Sequence, residues 1–209
     1  MKETTTAAKN RLHILTESAL AVALSTVLSF VTVYHAPFGG SVTLLSMAPI
    51  ILLSWFRGPK AGMAAGFVHG CIQLILGLSN IAWVTSPAGQ ILCGLLDYLL
   101  PFTLLGLGGV FRGVRFCKND KANAALALLC GTVMVCVLRF ACHMLSSVVI
   151  WYALDLEWYA DDPTHIVNRY SKWIFAAVYN VSYMLPETVS TSIGVPLMAG
   201  ALTKAFRRT

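Results

Sequence analysis

The sequence predicts an all-α integral membrane protein of six transmembrane helices with both termini cytoplasmic, and three observations carry that prediction. Hydrophobic residues make up 57% of the chain and charged residues only 11%, against roughly a quarter charged in soluble domains, so folding alone cannot hide the apolar surface from water. The apolar residues fall in long runs, and a spanning helix needs about 20 of them. The basic residues sit in short segments between those runs, which ties the net charge of +6 to membrane orientation rather than to nucleic acid. A single membrane domain over residues 1–209 follows, with a cytoplasmic segment 1–11, a bundle 12–203 and a tail 204–209, and no room for a large extramembrane catalytic domain.

The elements are expected in this order. Residues 1–11 are polar, and the apolar run 12–34 is longer than a signal-peptide core and lacks a cleavage site, so it is read as a retained first helix. The other helices are expected over residues 42–56, 60–78, 88–111, 122–152 and 171–203. Lys2, Lys9 and Arg11 precede the first helix, Arg57 and Lys60 separate the second from the third, and Arg112, Arg115, Lys118 and Lys121 separate the fourth from the fifth. Lys204, Arg207 and Arg208 end the chain. With six spans these segments share one side, and the acidic loop 153–170, carrying Asp155, Glu157, Asp161 and Asp162, lies on the other. By the positive-inside rule the basic side is cytoplasmic. The six cysteines form no CxxC pair and lie mostly in apolar runs, where they read as small hydrophobes rather than metal ligands or disulfides.

Ionisable residues inside the spans are few: Glu17, His69, Asp97, Arg139, His143 and Glu187. Each costs a few kcal/mol or more in hydrocarbon, so each is either a functional group or part of a structural ion pair. Arg139 and Glu187 are a candidate pair, and Glu17, near the cytoplasmic end of its helix, reads as structural. On the fifth helix Arg139, His143, Ser147 and Trp151 recur every four residues and therefore share a face. Helix direction puts Asp97 and Tyr98 of the fourth span, and Phe175, Tyr179 and Asn180 of the sixth, in the outer half of the membrane with His143, and His69 near its middle. One carboxylate among aromatic walls suits a flat, cationic or amine-bearing ligand. Trp83, Trp158 and Tyr159 read as interfacial anchors. Ala19 and Ala23, with Ala21 and Ser25 beside them, form a smooth line on the first helix against which another helix can pack.

These features come in an order that resembles one family. Leu15-Thr16-Glu17 leads to Ala19 and Ala23; Gly39-Gly40-Ser41-Val42-Thr43 is followed by Met47-Ala48-Pro49-Ile50; then come the turn Arg57-Gly58-Pro59-Lys60-Ala61-Gly62, the pair Asp97-Tyr98, and His143 followed by Trp151. Together they resemble the ThiT (YuaJ) family, the thiamine-specific S components of energy-coupling factor (ECF) transporters, over residues 12–203. The resemblance implies a prokaryotic cell-membrane subunit that captures thiamine from outside and associates with a transmembrane coupling protein and two ATPases. It implies no enzymatic activity, cofactor or metal, and the chain carries no phosphate-binding GxxxxGK[ST] loop. By position it implies a vitamin site of Asp97, Tyr98, His143, Trp151 and Asn180, with His69 and Phe175 standing where the family has other aromatics, and docking through Ala19 and Ala23. A related heterocycle or a thiamine precursor is the neighbouring alternative. A stand-alone proton-coupled carrier using Asp97, His143 or Glu187 is another, whereas an intramembrane enzyme lacks a Ser/Lys, paired-Asp or HExxH arrangement.

Overall fold

The structure, a computed structural model, describes residues 2–36 and 40–206, with side chains over 10–36 and 40–203. Gly39, Arg207 and Arg208 lie outside the described residues, and so do the side chains of Lys2, Lys9 and Lys204. The chain is helical almost throughout: α1 (Lys2–Ser29), α2 (Ala48–Arg57), α3 (Pro59–Leu76), α4 (Leu78–Ile81), α5 (Pro87–Cys93), α6 (Leu100–Leu104), α7 (Asp120–Ser146), α8 (Tyr152–Trp158), α9 (Ile166–Arg169) and α10 (Lys172–Phe206). Among the described residues three helical stretches are long and apolar enough to cross a bilayer, Asn10–Ser29, Pro87–Gly113 and Asp120–Trp158. At 35 residues α10 is about 50 Å long, more than the roughly 30 Å hydrocarbon core, and it continues through Pro186 and Pro196. Large exposed apolar side chains such as Leu12, Leu20, Val27 and Ile193 face outward along these helices, as lipid-facing residues do.

The first loop corrects the expected boundaries. The apolar run 12–34 does not stay helical to its end: α1 stops at Ser29, and β1 (Thr32–His35) pairs antiparallel with β2 (Ser41–Thr43), Thr32 opposite Thr43 and His35 opposite Ser41. The β-branched residues Thr32, Val33, Val42 and Thr43 suit extended backbone better than helix. The second helix therefore begins at Ala48, with Pro49 in its first turn where a missing N–H costs nothing. Its 10 residues reach only about 15 Å, and it is buried from Ala48 to Trp55 among α1, α3 and α10.

Glycine shapes two junctions. Gly58, at φ 94° and ψ 163°, makes the α2–α3 turn in a backbone region open essentially only to glycine, and Pro59 starts α3. Along α3, Gly62, Gly66 and Gly70 make a stripe four residues apart that meets the backbone of the stretch Pro87–Gly113. A Cβ on Gly66 would lie 2.3 Å from the Phe102 carbonyl oxygen, and one on Gly70 would lie 3.1 Å from that of Tyr98. This close approach fixes the height of Asp97 and Tyr98 in the bundle.

On the basic side, the Asn119 side chain caps α7 by accepting from the backbone N–H groups of Lys121 and Ala122, at 3.0 and 3.1 Å. Glu17 pairs with Arg57, whose Nη2 donates to Oε1 at 2.6 Å, giving the structural role expected of that acid. On the acidic side, helix continues through α8, so Asp155 and Glu157 are helical rather than loop residues and Asp155 is buried. Asp162 accepts from the backbone N–H and hydroxyl of Thr164 at 2.9 and 2.6 Å, which holds its carboxyl below the usual range.

Candidate functional site

The stretches Pro87–Gly113 and Asp120–Trp158 each open into a π-helical turn, and the two turns lie side by side. One covers Gly94–Leu99 and carries Asp97 and Tyr98; the other covers Ser147–Trp151 and carries Ser147 and Trp151. Turns of this kind are rare and concentrate at functional positions, because the extra residue re-aims side chains that a regular helix would turn away. Both turns face a cavity between α7, α10 and the stretch Pro87–Gly113.

Asp97 stands at the centre of this cavity. Its Oδ2 accepts from the Ser146 hydroxyl at 2.6 Å, the Trp151 indole N–H at 3.0 Å and the Cys93 thiol at 3.3 Å. Its Oδ1 lies 3.1 Å from Nδ1 of His143. One carboxylate is thus held by four donors from two helices, and Oδ1, with a single partner among the described residues, keeps capacity for a ligand.

The rest of the wall comes from every side of the bundle. Arg139, His143, Ser147 and Trp151 all line the cavity, as their spacing predicts. From α10 come Tyr179, Asn180 and Tyr183. Asn180 is largely occupied by the protein: its amide nitrogen donates to Ser147 Oγ at 2.7 Å and to the Ala176 carbonyl at 2.8 Å, and its oxygen accepts from the Tyr183 hydroxyl at 2.7 Å. Asn180 therefore ties α10 to α7 and offers a ligand one remaining lone pair. The hairpin contributes Gly40 and Ser41, with the Gly40 N–H donating to Tyr179 Oη at 3.3 Å. Tyr98 and Phe102 complete the wall beside Asp97, and the Tyr98 hydroxyl donates to the Gly77 carbonyl at 3.4 Å.

Two residues of the expected site stand one layer back from this wall. His69 is buried on the far side of Phe102, with ring centroids 4.9 Å apart at 84°, and its Nδ1 lies 3.2 Å from Thr26 Oγ1. Phe175 stacks on Tyr179 at 6.4 Å and 10°, supporting that ring from behind. Gln73, Asn80, Phe102 and Tyr183 line the cavity and were not singled out from the sequence. Tyr183 follows Tyr179 by four residues and Asn180 by three, a spacing that puts it on their face.

The cavity holds about 130 Å³, below the roughly 300 Å³ at the small end of ligand clefts, so a two-ring ligand requires its walls to part. A second concavity, on the membrane-facing side, is an apolar trough between α1 and α3. Ala19 and Ala23 are exposed on its α1 side, and Ala61 and Ala64 line its α3 side. Ala21 and Ser25 do not share this surface, because they turn inward and are buried.

The chain matches the family described as thiamine transporter protein (Thia_YuaJ) over residues 15–207. It is 30% identical over 189 residues to the thiamine transporter ThiT of Bacillus subtilis, with 88% of each chain covered. It is 26% identical over 202 residues to the thiamine transporter ThiT of Lacticaseibacillus paracasei, covering 94% of this chain and 91% of that one. Its fold is similar to the solved structure of ThiT from Listeria monocytogenes, with a TM-score of 0.72, 22% identity, and 94% and 98% of the two chains covered.

Proposed function

The chain belongs to the thiamine transporter (Thia_YuaJ) family, and from that premise we propose that it is the substrate-capturing subunit of a thiamine uptake system, with the cavity around Asp97 as the vitamin site. The observation that carries this reading is the Asp97 carboxylate, held among His143, Trp151, Tyr98 and Tyr183 in the membrane interior. Thiamine joins a neutral aminopyrimidine to a permanently cationic thiazolium. A carboxylate with spare acceptor capacity answers the cation or the amine, and the aromatic walls offer stacking and cation–π attraction. Asp97, Tyr98, His143, Trp151 and Asn180 form the proposed contact set, with Phe175 and His69 supporting the rings in front of them. Arg139 and Tyr183 join the wall in this reading.

Transport then requires a partner. We place the coupling protein and ATPases of an ECF module against the trough at Ala19 and Ala23, where alanine leaves room for a helix to approach closely. Six spans, with both termini and the basic segments cytoplasmic, complete the reading, so that the cavity opens towards the outside.

Uptake in cells lacking their own thiamine transporter tests it. The chain is expected to support uptake only when co-expressed with an ECF coupling protein and its ATPases, and to keep doing so when the proton gradient is collapsed. Uptake by the chain alone that disappears with the gradient would instead establish a proton-coupled carrier.

A further inference from the structure

Beyond the residues around Asp97, the bundle interior holds a second charged group at the cavity wall. Arg139 is buried, its Nε lies 3.3 Å from Nε2 of His143, its guanidinium sits 4.9 Å from the centre of the Phe102 ring, and its Nη1 is 3.8 Å from Oε1 of Glu187. A guanidinium has donors and no acceptor, so the contact at Nε2 is a hydrogen bond only if that nitrogen carries a lone pair. The ring proton must then be on Nδ1, where it is donated to Asp97 Oδ1 at 3.1 Å. A doubly protonated ring would set a donor against a donor and a cation against a cation. The charged and titratable groups in contact with His143 are Asp97 from the stretch Pro87–Gly113, Arg139 from its own helix and Tyr183 from α10, with Glu187 of α10 reaching the far side of Arg139.

We infer that Arg139 is a positioning residue that fixes His143 as the neutral Nδ1–H tautomer, so that Asp97 meets its ligand as a carboxylate no protein cation neutralises. Glu187 makes this arrangement consistent. It balances Arg139, and its Oε1 also accepts from the Thr43 hydroxyl at 2.8 Å. The three formal charges, Asp97, Arg139 and Glu187, sum to minus one, which a ligand carrying one positive charge brings to zero. Selectivity for a monocation over its uncharged isostere thus depends on a residue that need not touch the ligand. This rests on the proposed site at Asp97.

The test uses the full chain in lipid nanodiscs with 15N-labelled histidine, reading the His143 ring nitrogens by NMR and the affinities for thiamine and an uncharged thiamine analogue by calorimetry. Wild type is expected to show a protonated Nδ1 and a bare Nε2. In R139M/E187M, which removes both charges of the pair together, the ring is free to take a second proton and pair with Asp97, and the preference for thiamine over the uncharged analogue is expected to fall about tenfold. R139K, which keeps a cationic donor, is expected to restore the bare Nε2 and the preference, and it stands as the readout if the double variant does not fold. A protonated Nε2 in wild type, or an unchanged preference in R139M/E187M, would overturn the inference while leaving the site intact. Unchanged thiamine affinity in Asp97→Asn, run alongside, would remove the site itself.

Discussion

Replacing Asp97 with asparagine keeps the shape of the side chain and removes its charge, and the surrounding donors determine what else is lost. Oδ2 receives protons from Ser146, Trp151 and Cys93, whereas Oδ1 receives one from His143. If the new amide oxygen takes the place of Oδ2, the amide N–H groups point at the Nδ1–H of His143; the flipped amide confronts the Trp151 indole N–H instead. Either orientation leaves at least one donor without an acceptor and offers a cationic ligand no counter-charge. A hydrogen bond to a charged group contributes about 1.5–3 kcal/mol, so thiamine binding is expected to weaken roughly 10- to 150-fold. An uncharged analogue should lose much less. The assay is calorimetric titration of both ligands into purified protein that elutes as one species and retains its helical circular dichroism. Unchanged thiamine affinity in such protein would mean that the carboxylate only ties the stretches Pro87–Gly113 and Asp120–Trp158 together and that the site lies elsewhere.

Other consequences follow from the same geometry. A Cβ on Gly40 would lie 2.6 Å from the Tyr183 ring, so Gly40→Ala should displace the tyrosine that holds Asn180 and weaken thiamine binding several-fold in a titration, with little change in melting temperature. Ala23→Trp should fill the trough on α1, so that the variant fails to co-purify with the ECF module yet binds thiamine as wild type does; equal loss of both would mean that the trough supports the fold instead. A cysteine at Asp161 in a chain stripped of its native cysteines should react with a membrane-impermeant maleimide added outside intact cells, and one at Arg115 should not. The reverse pattern would invert the proposed topology.

Much of this arrangement was legible in the sequence because it depends on single-helix periodicity. The four-residue recurrence of Arg139, His143, Ser147 and Trp151 put them on one face, and they line one cavity. Helix direction set Asp97 at the height of His143, and the two are hydrogen bonded. What a single helix cannot reveal is which face meets which neighbour. His69 is a polar residue in an apolar run, but its face turns to Thr26 of α1, and Ala21 and Ser25 turn inward while Ala19 and Ala23 stay exposed. The hairpin was hidden because strand and helix look alike in a continuous apolar run, with only Thr32, Val33, Val42 and Thr43 to favour extension. The two π-helical turns leave no mark in composition or period, yet they re-aim Asp97 and Trp151. The glycine stripe of α3 was readable in principle, since three glycines recur every four residues in a membrane helix.

The claim that thiamine occupies the cavity beside Asp97 is tested most directly by tryptophan fluorescence, because Trp151 is one of only five tryptophans and its indole donates to that carboxylate. Titrating thiamine into the purified chain is expected to give a saturable, one-to-one change in emission, which Trp151→Phe abolishes while calorimetry still detects weakened binding. No saturable change in wild type, or the same change in Trp151→Phe, would contradict the account.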